Sequence, residues 1–448
     1  MKLDVLQITN FRGIHSMKLE LHPKMNVLVG VNGAGKSTVL DALAVVLSRF
    51  VSLLRSGKNS GRDIASYDIS AGREFAALRL QLSDGEKHFS CGVLKSLLKS
   101  RKSTSRKIDE ILNQDASDVT ENVKALTDRI RDDVDATGEK CSVPVLIYYQ
   151  ANRIALNFPR FVHTDRDFSL MSVYRDALSC RADYRVLLEW FRERETVEDR
   201  EFRRLVLEAQ TSAQDGSSET CRIVAEYHDM ALQTLRNAWR AFMPELSDFT
   251  IQPNPLRLEA KKNGVPFRID QLSDGEKSLL ALVGDIARRL AIANPTMTNP
   301  LLGEGIILVD EIDLHFHPKR QRMLVPKLQE VFPNCQFIVA THSPQILGHV
   351  HAECVFMLVE NEDGIIELHR PEESYGMTTN EILEDIMNVP ARDPDEEQKL
   401  LHLFELIERR KLTEAKALID EIRNYRRSEP KLLAADARIQ CLESMKKD

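Results

Sequence analysis

The sequence lacks the features that would mark a secreted or membrane protein. Its 448 residues include only 7 cysteines, and no two of them form a C-x-x-C pair. An odd, scattered set of thiols excludes a disulfide framework and a zinc ribbon. No apolar run reaches the length of a membrane-spanning helix, and no signal peptide pattern is present. We therefore expect a cytoplasmic protein without membrane contact.

An excess of basic charge is also missing. The chain carries 61 Lys and Arg against 68 Asp and Glu, a formal net charge of −7. This balance excludes a global basic field, so any nucleic-acid contact would need a local patch. Lys99, Arg101 and Lys102 form such a run. It is either the solvated face of a helix or a contact to a phosphate backbone, and the sequence leaves both open.

The strongest motif present is a glycine loop. Residues 30–38 (GVNGAGKST) match G-x-x-x-x-G-K-[ST], the phosphate-binding loop, or P-loop, of nucleoside triphosphatases. A short apolar strand pattern precedes it and a helical pattern follows it. In this arrangement backbone N–H groups surround phosphates, the lysine reaches the β- and γ-phosphates, and the serine binds Mg²⁺. The predicted ATP ligands are Asn32, Gly33, Ala34, Gly35, Lys36, Ser37 and Thr38, with Ser37 also on the metal.

Two further segments carry polar residues at the ends of predicted buried strands. Residues 305–311 (GIILVDE) have the form of a Walker B strand. Asp310 would hold the Mg²⁺ shell, and Glu311 would orient and polarise the attacking water. Residues 337–344 (FIVATHSP) place His342 just past the next strand, where it could sense or stabilise the γ-phosphate. Glu311 and His342 are the predicted catalytic residues.

One heptapeptide, QLSDGEK, occurs twice, at residues 81–87 and 271–277. The first copy lies between two alternating strand patterns, which predicts a hairpin turn at Asp84-Gly85. The second copy precedes an apolar helix, so Ser273 would lie at a helix N-terminus that favours phosphate. We therefore predict ATP binding only for the second copy, through Ser273, Gly275 and Glu276.

The order of these motifs resembles the ABC-type ATPase head, in the group that includes RecF, SMC proteins and the overcoming-lysogenization-defect (OLD) nucleases. Residues 10–13 (NFRG) are similar to that group's N-F-R segment, which implies that Arg12 contacts ATP. The resemblance also implies an ATP sandwich between two subunits, with Ser273 acting in trans. Gln150, at the end of another strand pattern, is the candidate Q-loop residue for ATP, Mg²⁺ and water.

Alternating buried strands and helices predict an α/β fold. The expected architecture is a P-loop NTPase of the ABC-ATPase head type, with an N-terminal antiparallel β-subdomain and a mostly parallel core sheet. Helical inserts and an all-helical C-terminal tail complete it. The predicted boundaries are 1–94 and 243–390 for the two lobes of the head, 141–164 for a core strand with the Q-loop, 95–140 and 165–242 for the inserts, and 391–448 for the tail.

The inserts are too short for SMC coiled coils, and the hundred or so residues after His342 are too few for an OLD nuclease domain. No nuclease signature is present.

Residues 373–383 (ESYGMTTNEIL) and the tail resemble the ATPase of the two-component Septu antiviral systems, PtuA. That resemblance implies an oligomeric ATPase controlling a small HNH nuclease (PtuB-like), with DNA reached through the complex. Retron-allied ATPases share these motifs. The alternatives are a RecF-like DNA-repair protein and a nucleotide switch with negligible turnover.

Overall fold

The computed structural model describes residues 1–97, 116–138, 140–151, 168–178, 184–212, 227–253, 256–390, 393–426 and 430–444. The basic run at residues 99–102 lies outside them. The chain divides into two compact units, Met1–Met377 and Thr378–Asp448. The sequence placed the start of the tail at residue 391. The second unit begins at Thr378, which is also the N-cap of a helical turn, with its side chain accepting a hydrogen bond from the N–H of Glu381.

The described strands are, in chain order, β1 (Lys2–Phe11), β2 (Ile14–Glu20), β3 (Met25–Val29), β4 (Phe75–Asp84), β5 (Lys87–Ser96), β6 (Val145–Tyr149), β7 (Leu246–Pro253), β8 (Leu256–Lys262), β9 (Val265–Arg268), β10 (Gly305–Val309), β11 (Cys335–Thr341), β12 (Val355–Glu360) and β13 (Ile366–His369). The described helices are α1 (Lys36–Ser56), α2 (Ala116–Thr137), α3 (Tyr184–Ser212), α4 (Met230–Phe242), α5 (Asp274–Ala293), α6 (Pro318–Val331), α7 (Pro344–Leu347), α8 (Pro394–Glu408), α9 (Leu412–Tyr425) and α10 (Pro430–Ser444).

The core of the first unit is a six-stranded sheet of order β13-β12-β3-β11-β10-β6. Strands β12, β3, β11, β10 and β6 run parallel, and only the edge strand β13 is antiparallel. Every residue of β3, β6, β10 and β11 is buried, as expected for parallel strands covered on both faces. The sheet therefore surrounds the strand that leads into the P-loop with strands from distant parts of the sequence.

Helix α1 follows the P-loop and packs inside this unit. Among the described residues it is the one helix long and apolar enough to cross a membrane, and 67% of its most apolar window is buried. A helix that is apolar nearly all round is typical of a protein core. The length and hydropathy of α1 are therefore explained by its position beneath the sheet.

An antiparallel sheet of order β2-β1-β4-β5 flanks the core. The buried Gln336 of β11 joins it to the core sheet, accepting from the N–H of Leu3 at 2.7 Å and donating to its carbonyl at 2.9 Å. Asp84 pairs with Lys87 across the β4–β5 hairpin, so the first QLSDGEK copy forms the predicted turn. A third sheet, β7-β8-β9, is also antiparallel.

The second unit is helical. It starts with the turn Thr379–Glu381, continues as a π-helical turn at Ile382–Ile386, and contains α8, α9 and α10. Ten buried apolar residues of the three long helices form its core. The two units together confirm the predicted fold class: an α/β ATPase head with an antiparallel N-terminal sheet, a mostly parallel core sheet and a helical C-terminal region.

Candidate functional site

The register of the core sheet brings four strand ends together. Val29 of β3 pairs with Thr341 of β11, and Val309 of β10 pairs with Val339 and Tyr149. Because the strands are parallel, the residues that follow them open on one edge, where α/β sheets bind ligands. Those residues are Gly30 of the P-loop, His342, Asp310 and Gln150.

The P-loop holds its lysine against its own backbone. Lys36 Nζ donates hydrogen bonds to the carbonyl oxygens of Gly30 at 2.8 Å and Val31 at 2.9 Å. Gly33 and Gly35 have φ of 88° and 93°, a left-handed conformation that glycine adopts without strain. Gly35 is the residue before α1, which begins at Lys36. The loop thus directs a buried ammonium and a helix N-terminus to the same place, while Asn32, Gly33 and Ser37 stay exposed.

The end of β10 carries the two predicted carboxylates. Asp310 is 6% exposed, and its Oδ1 accepts a hydrogen bond from the backbone N–H of Glu311 at 3.1 Å. Glu311 has φ of 45°, which is uncommon for a side chain with a β-carbon and costs roughly 1–3 kcal/mol. Such strain concentrates where side-chain direction matters. The two carboxylates thus follow each other on backbones of different conformation.

Electrostatics link the side chains at this edge. Burial lowers the pKa of the Lys36 ammonium, while the negative charges of Asp310, Glu311 and Asp313 act to raise it. Burial also lowers the pKa of His342, and the positive charge of Lys36 lowers it further, against the same three carboxylates. The lysine, the histidine and the acidic loop therefore lie within each other's electrostatic field.

Asp313 belongs to this group although sequence reasoning did not select it. Thr341 Oγ1 donates a 2.5 Å hydrogen bond to Asp313 Oδ1, and the same hydroxyl accepts from the N–H of Ser343 at 2.9 Å. Gln321 of α6 adds a second link, because its amide donates to the carbonyl oxygen of Asp313 and accepts from Ser343 Oγ. The loop after β10 and the segment carrying His342 are thus tied together. The only sequence signal was the acidic position three residues after Asp310.

Ser273 is the N-cap of α5. Its hydroxyl accepts from the N–H of Glu276 at 3.3 Å, and Glu276 Oε2 accepts from the Ser273 N–H at 3.0 Å and contacts its Oγ at 2.9 Å. This is a capping box. Glu276 Oε1 also pairs with Arg320 at 2.9 Å. Glu276 therefore orients Ser273, and Ser273 is exposed. Within the described residues, no hydrogen bond joins Ser273 to the P-loop.

Gly275 allows α5 to meet the loop after β10. A β-carbon at Gly275 would lie 2.1 Å from the carbonyl oxygen of His315, so no other residue fits without backbone movement. His315 itself has φ of 65° and is exposed. His317 is the N-cap of α6, where its Nδ1 accepts from the N–H of Lys319 at 3.3 Å. His315 and His317 therefore have structural roles in the loop after β10. The start of α5 packs against that loop through Gly275.

Arg12 forms two ion pairs with neighbouring carboxylates. Its Nη1 donates to Asp41 Oδ2 at 2.6 Å, and its Nε donates to Asp68 Oδ1 at 2.9 Å. Arg12 has φ of 51°, so its turn directs the side chain toward α1. Arg12 thus lies beside the helix that follows the P-loop.

Gln150 lies half-buried at the end of β6, next to a buried ionic cluster. The hydroxyl of the preceding Tyr149 donates to Asp285 Oδ2 of α5 at 2.8 Å. Asp285 also pairs with Arg288 and Arg289 at 2.6 and 2.9 Å. Burial alone would raise the pKa of Asp285, but the two arginines lower it well below its usual range. The cluster joins the strand that leads to Gln150 to the helix capped by Ser273, which the sequence did not predict.

The residues at this edge fit a nucleotide with a hard divalent cation. Ser37, Asp310 and Gln150 offer hydroxyl, carboxylate and amide oxygens, which are the ligand types of Mg²⁺. The loop glycines, the Lys36 ammonium and the N-terminus of α1 offer the donors and positive charge that phosphates require. No part of this donor set suits a soft metal.

The family model described as "RecF/RecN/SMC N terminal domain" matches residues 2–367. The chain is similar to the retron Ec83 probable ATPase of Escherichia coli, with 27% identity over 443 residues, 89% of this chain and 78% of the relative. It is 30% identical to the retron Vc95 probable ATPase of Vibrio cholerae serotype O1 biovar El Tor over 365 residues, 75% of this chain and 68% of the relative.

Shorter matches involve other members of the group. The Septu protein PtuA of Bacillus mycoides (strain KBAB4) is 39% identical over 97 residues, which are 21% of this chain and 13% of the relative. RecF of Actinobacillus pleuropneumoniae is 31% identical over 116 residues, 25% of this chain and 30% of the relative. Among solved structures, the SMC head domain from Thermotoga maritima aligns with a TM-score of 0.41 and 14% identity, covering 83% of this chain and 100% of that chain.

Proposed function

The chain belongs to the RecF/RecN/SMC N-terminal domain family, and from that premise we propose that it binds ATP with Mg²⁺ at the edge of the core sheet and hydrolyses it. The observation that carries the proposal is the convergence of four strand ends from distant parts of the chain. Val29 pairs with Thr341, and Val309 pairs with Tyr149 and with Val339, two residues before Thr341. The next residues in the sequence are Gly30, His342, Asp310 and Gln150.

The hydrolytic step follows from this placement. A water oxygen attacks the γ-phosphorus, the bond from that phosphorus to the β–γ bridging oxygen breaks, and ADP and phosphate leave. Glu311 orients the water and receives its proton. Lys36 and the P-loop N–H groups stabilise charge on the phosphate oxygens, and His342 donates a hydrogen bond to the γ-phosphate. Mg²⁺, held by Ser37 and Asp310 and contacted by Gln150, would neutralise the charge between the β- and γ-phosphates.

The site is completed by a second copy of the chain. Ser273 is exposed and fixed by its own capping box, and no hydrogen bond links it to the P-loop within the described residues. An exposed, pre-oriented N-terminus of a 20-residue helix is suited to meet a phosphate on another subunit. We place Ser273 of one copy opposite the P-loop of the other, in a two-fold dimer with two equivalent ATP sites. Gly275 and Glu276 serve this contact by seating the helix and holding the serine.

The biological setting we propose is antiphage defence. The similarity to two retron ATPases over most of the chain and to PtuA over about a fifth of it supports this setting. The chain would be the ATP-binding, regulatory subunit of a defence complex. Its nucleotide state would control a partner nuclease of the HNH type, with DNA reached through the complex. The helical unit Thr378–Asp448 is our proposed surface for assembly or partner docking.

Affinity purification of the tagged chain from its native locus tests this setting. All co-purifying proteins and nucleic acids are identified, with Lys36→Ala as the nucleotide-free control. We expect a stoichiometric nuclease whose activity changes between ATP and ADP. Retention of DNA by the chain alone, ATP-dependent and salt-sensitive, with no partner protein, would instead support the RecF-like repair function, which the 116-residue match to RecF favours.

A further inference from the structure

Asp41 is a carboxylate on which three elements of the ATPase head converge. It lies on α1, five residues after Lys36, and is 9% exposed. Its Oδ2 accepts from Arg12 Nη1 at 2.6 Å, and its Oδ1 accepts from the hydroxyl of Tyr148 at 3.1 Å. Tyr148 belongs to β6, the strand that ends at Gln150. Asp41 therefore joins the helix after the P-loop, the turn after β1 and the strand before Gln150.

The guanidinium that Asp41 holds lies close to the P-loop. The Cδ1 methyl of Ile366 is 3.1 Å from where a β-carbon would lie on Gly13, next to Arg12, and 2.9 Å from the same position on Gly35 of the P-loop. One methyl group thus separates the turn from the loop. The turn that carries Arg12 therefore lies beside the P-loop, and its guanidinium contacts the helix that begins there.

Two carboxylates fix the direction of this cation. Asp68 accepts from Arg12 Nε at 2.9 Å, and the Asp68 carbonyl accepts from the Arg12 N–H at 2.7 Å. With Asp41 on Nη1, the Nε and Nη1 donors are both occupied. The side chains of Asp41 and Asp68 are only 12% and 11% exposed, so solvent screens these pairs weakly. A guanidinium forked between two buried carboxylates has little freedom to turn.

We propose that Asp41 is a positioning residue for nucleotide binding: it orients Arg12 at the mouth of the P-loop so that the cation acts on the polyphosphate of ATP. The inference rests on the proposed function, since it assigns a role to Asp41 at the same site. Asp41 itself does not touch the nucleotide. Its effect passes through Arg12, and it should appear in ATP affinity more than in the rate at saturation.

The test measures Mg-ATP affinity by calorimetry and steady-state KM and kcat on the full chain, for Asp41→Asn, Arg12→Ala and the double variant. We expect each single variant to raise KM and Kd about tenfold. At saturation we expect kcat to stay within about twofold of wild type. The double variant should be no worse than Arg12→Ala alone. Asp63→Asn is the matched control. Asp63 is an exposed carboxylate that forms an ion pair with Arg49, and Arg49 lies on the same helix as Asp41.

The inference would be overturned if the loss of ATP affinity in the double variant equalled the product of the two single-variant losses. Wild-type affinity in Asp41→Asn would overturn it as well. If Asp41→Asn does not fold, Arg12→Lys serves as the test variant. Lysine keeps the positive charge but cannot bridge the carboxylates of Asp41 and Asp68. The inference predicts the same rise in KM for Arg12→Lys, and unchanged KM would overturn it. Failure of the wild-type chain to bind Mg-ATP would instead overturn the proposed function itself.

Discussion

Thr341 Oγ1 donates a 2.5 Å hydrogen bond to Asp313 Oδ1, between the last residue of β11 and the loop that follows β10. The bond joins the segment carrying His342 to the segment carrying Glu311. Thr341 is fully buried, and its hydroxyl also accepts from the N–H of Ser343. The two proposed catalytic segments are therefore coupled through Thr341, beside the second link that Gln321 makes.

Replacing Thr341 with valine should weaken both stability and turnover. Valine keeps the shape but leaves Asp313 and the Ser343 N–H without this partner, which costs about 1–3 kcal/mol. We expect kcat to fall while KM for ATP changes little, because the P-loop is untouched. Urea unfolding and steady-state kinetics measure the two effects. Thr341→Ser, which keeps the hydroxyl, is the control, and equal loss of kcat in both variants would contradict the role of the hydrogen bond.

The two QLSDGEK copies provide a matched pair of substitutions. Ser273→Arg should lower ATP turnover by at least about 100-fold, since it fills the proposed contact with the partner's phosphate. Ser83→Arg, in the β4–β5 hairpin, should leave turnover near wild type because Ser83 contacts Asp4 and not the nucleotide site. Phosphate release assays compare them. If Ser83→Arg abolished ATP turnover while Ser273→Arg left it intact, the assignment of ATP binding to the second copy would be wrong.

Glu311→Gln should separate ATP binding from hydrolysis. Glutamine preserves size but cannot take the proton from water, so turnover should drop by at least about 100-fold. ATP then stays bound, and we expect the ATP-bound dimer to accumulate. Size-exclusion chromatography with light scattering, run with ATP and with ADP, reports the assembled mass. Turnover at the wild-type rate would refute the role of Glu311.

The Glu195 carboxyl should make stability depend on pH. Burial raises its pKa to about 7, and Glu198 and Asp199 add to this, against the Ile251 N–H and Arg236. Because the pKa is higher in the folded state, this contribution to stability is complete below the usual pKa of 4.5 and is lost as pH rises toward 7. Glu195→Gln should therefore gain about 1–2 kcal/mol relative to wild type between pH 5 and pH 8, allowing for solvent screening.

Denaturant unfolding of both proteins at the two pH values measures this gain. Glu208→Gln is the control, since Glu208 lies on the same helix α3 and pairs with Arg204 in solvent. A pH-independent difference between Glu195→Gln and wild type would show that the carboxyl does not titrate in this range.

Much of the fold followed from local sequence. The strand patterns before Gly30 and Asp310 and the helix after the P-loop depend on neighbouring residues, and so does the distinction between the two QLSDGEK copies. The resemblance to the RecF and SMC group, read from the order of motifs, is confirmed by the family match over residues 2–367.

The parts of the site that the sequence did not reveal depend on side chains that meet only after folding. Arg12 and Asp41 are 29 positions apart, and Tyr149 and Asp285 are 136 apart. No local pattern distinguishes Asp41 from any other polar residue on α1.

If each ATP site combines the P-loop of one copy with Ser273 of another, two chains with different defects should restore one intact site between them. Lys36→Ala and Ser273→Arg chains, each inactive alone, are mixed in equal amounts, and phosphate release is measured. In a two-fold dimer, half the assemblies are mixed and each has one intact site, so about a quarter of wild-type activity should return. No recovery, although the Ser273→Arg chain binds ATP and mixed dimers form, would contradict the composite site.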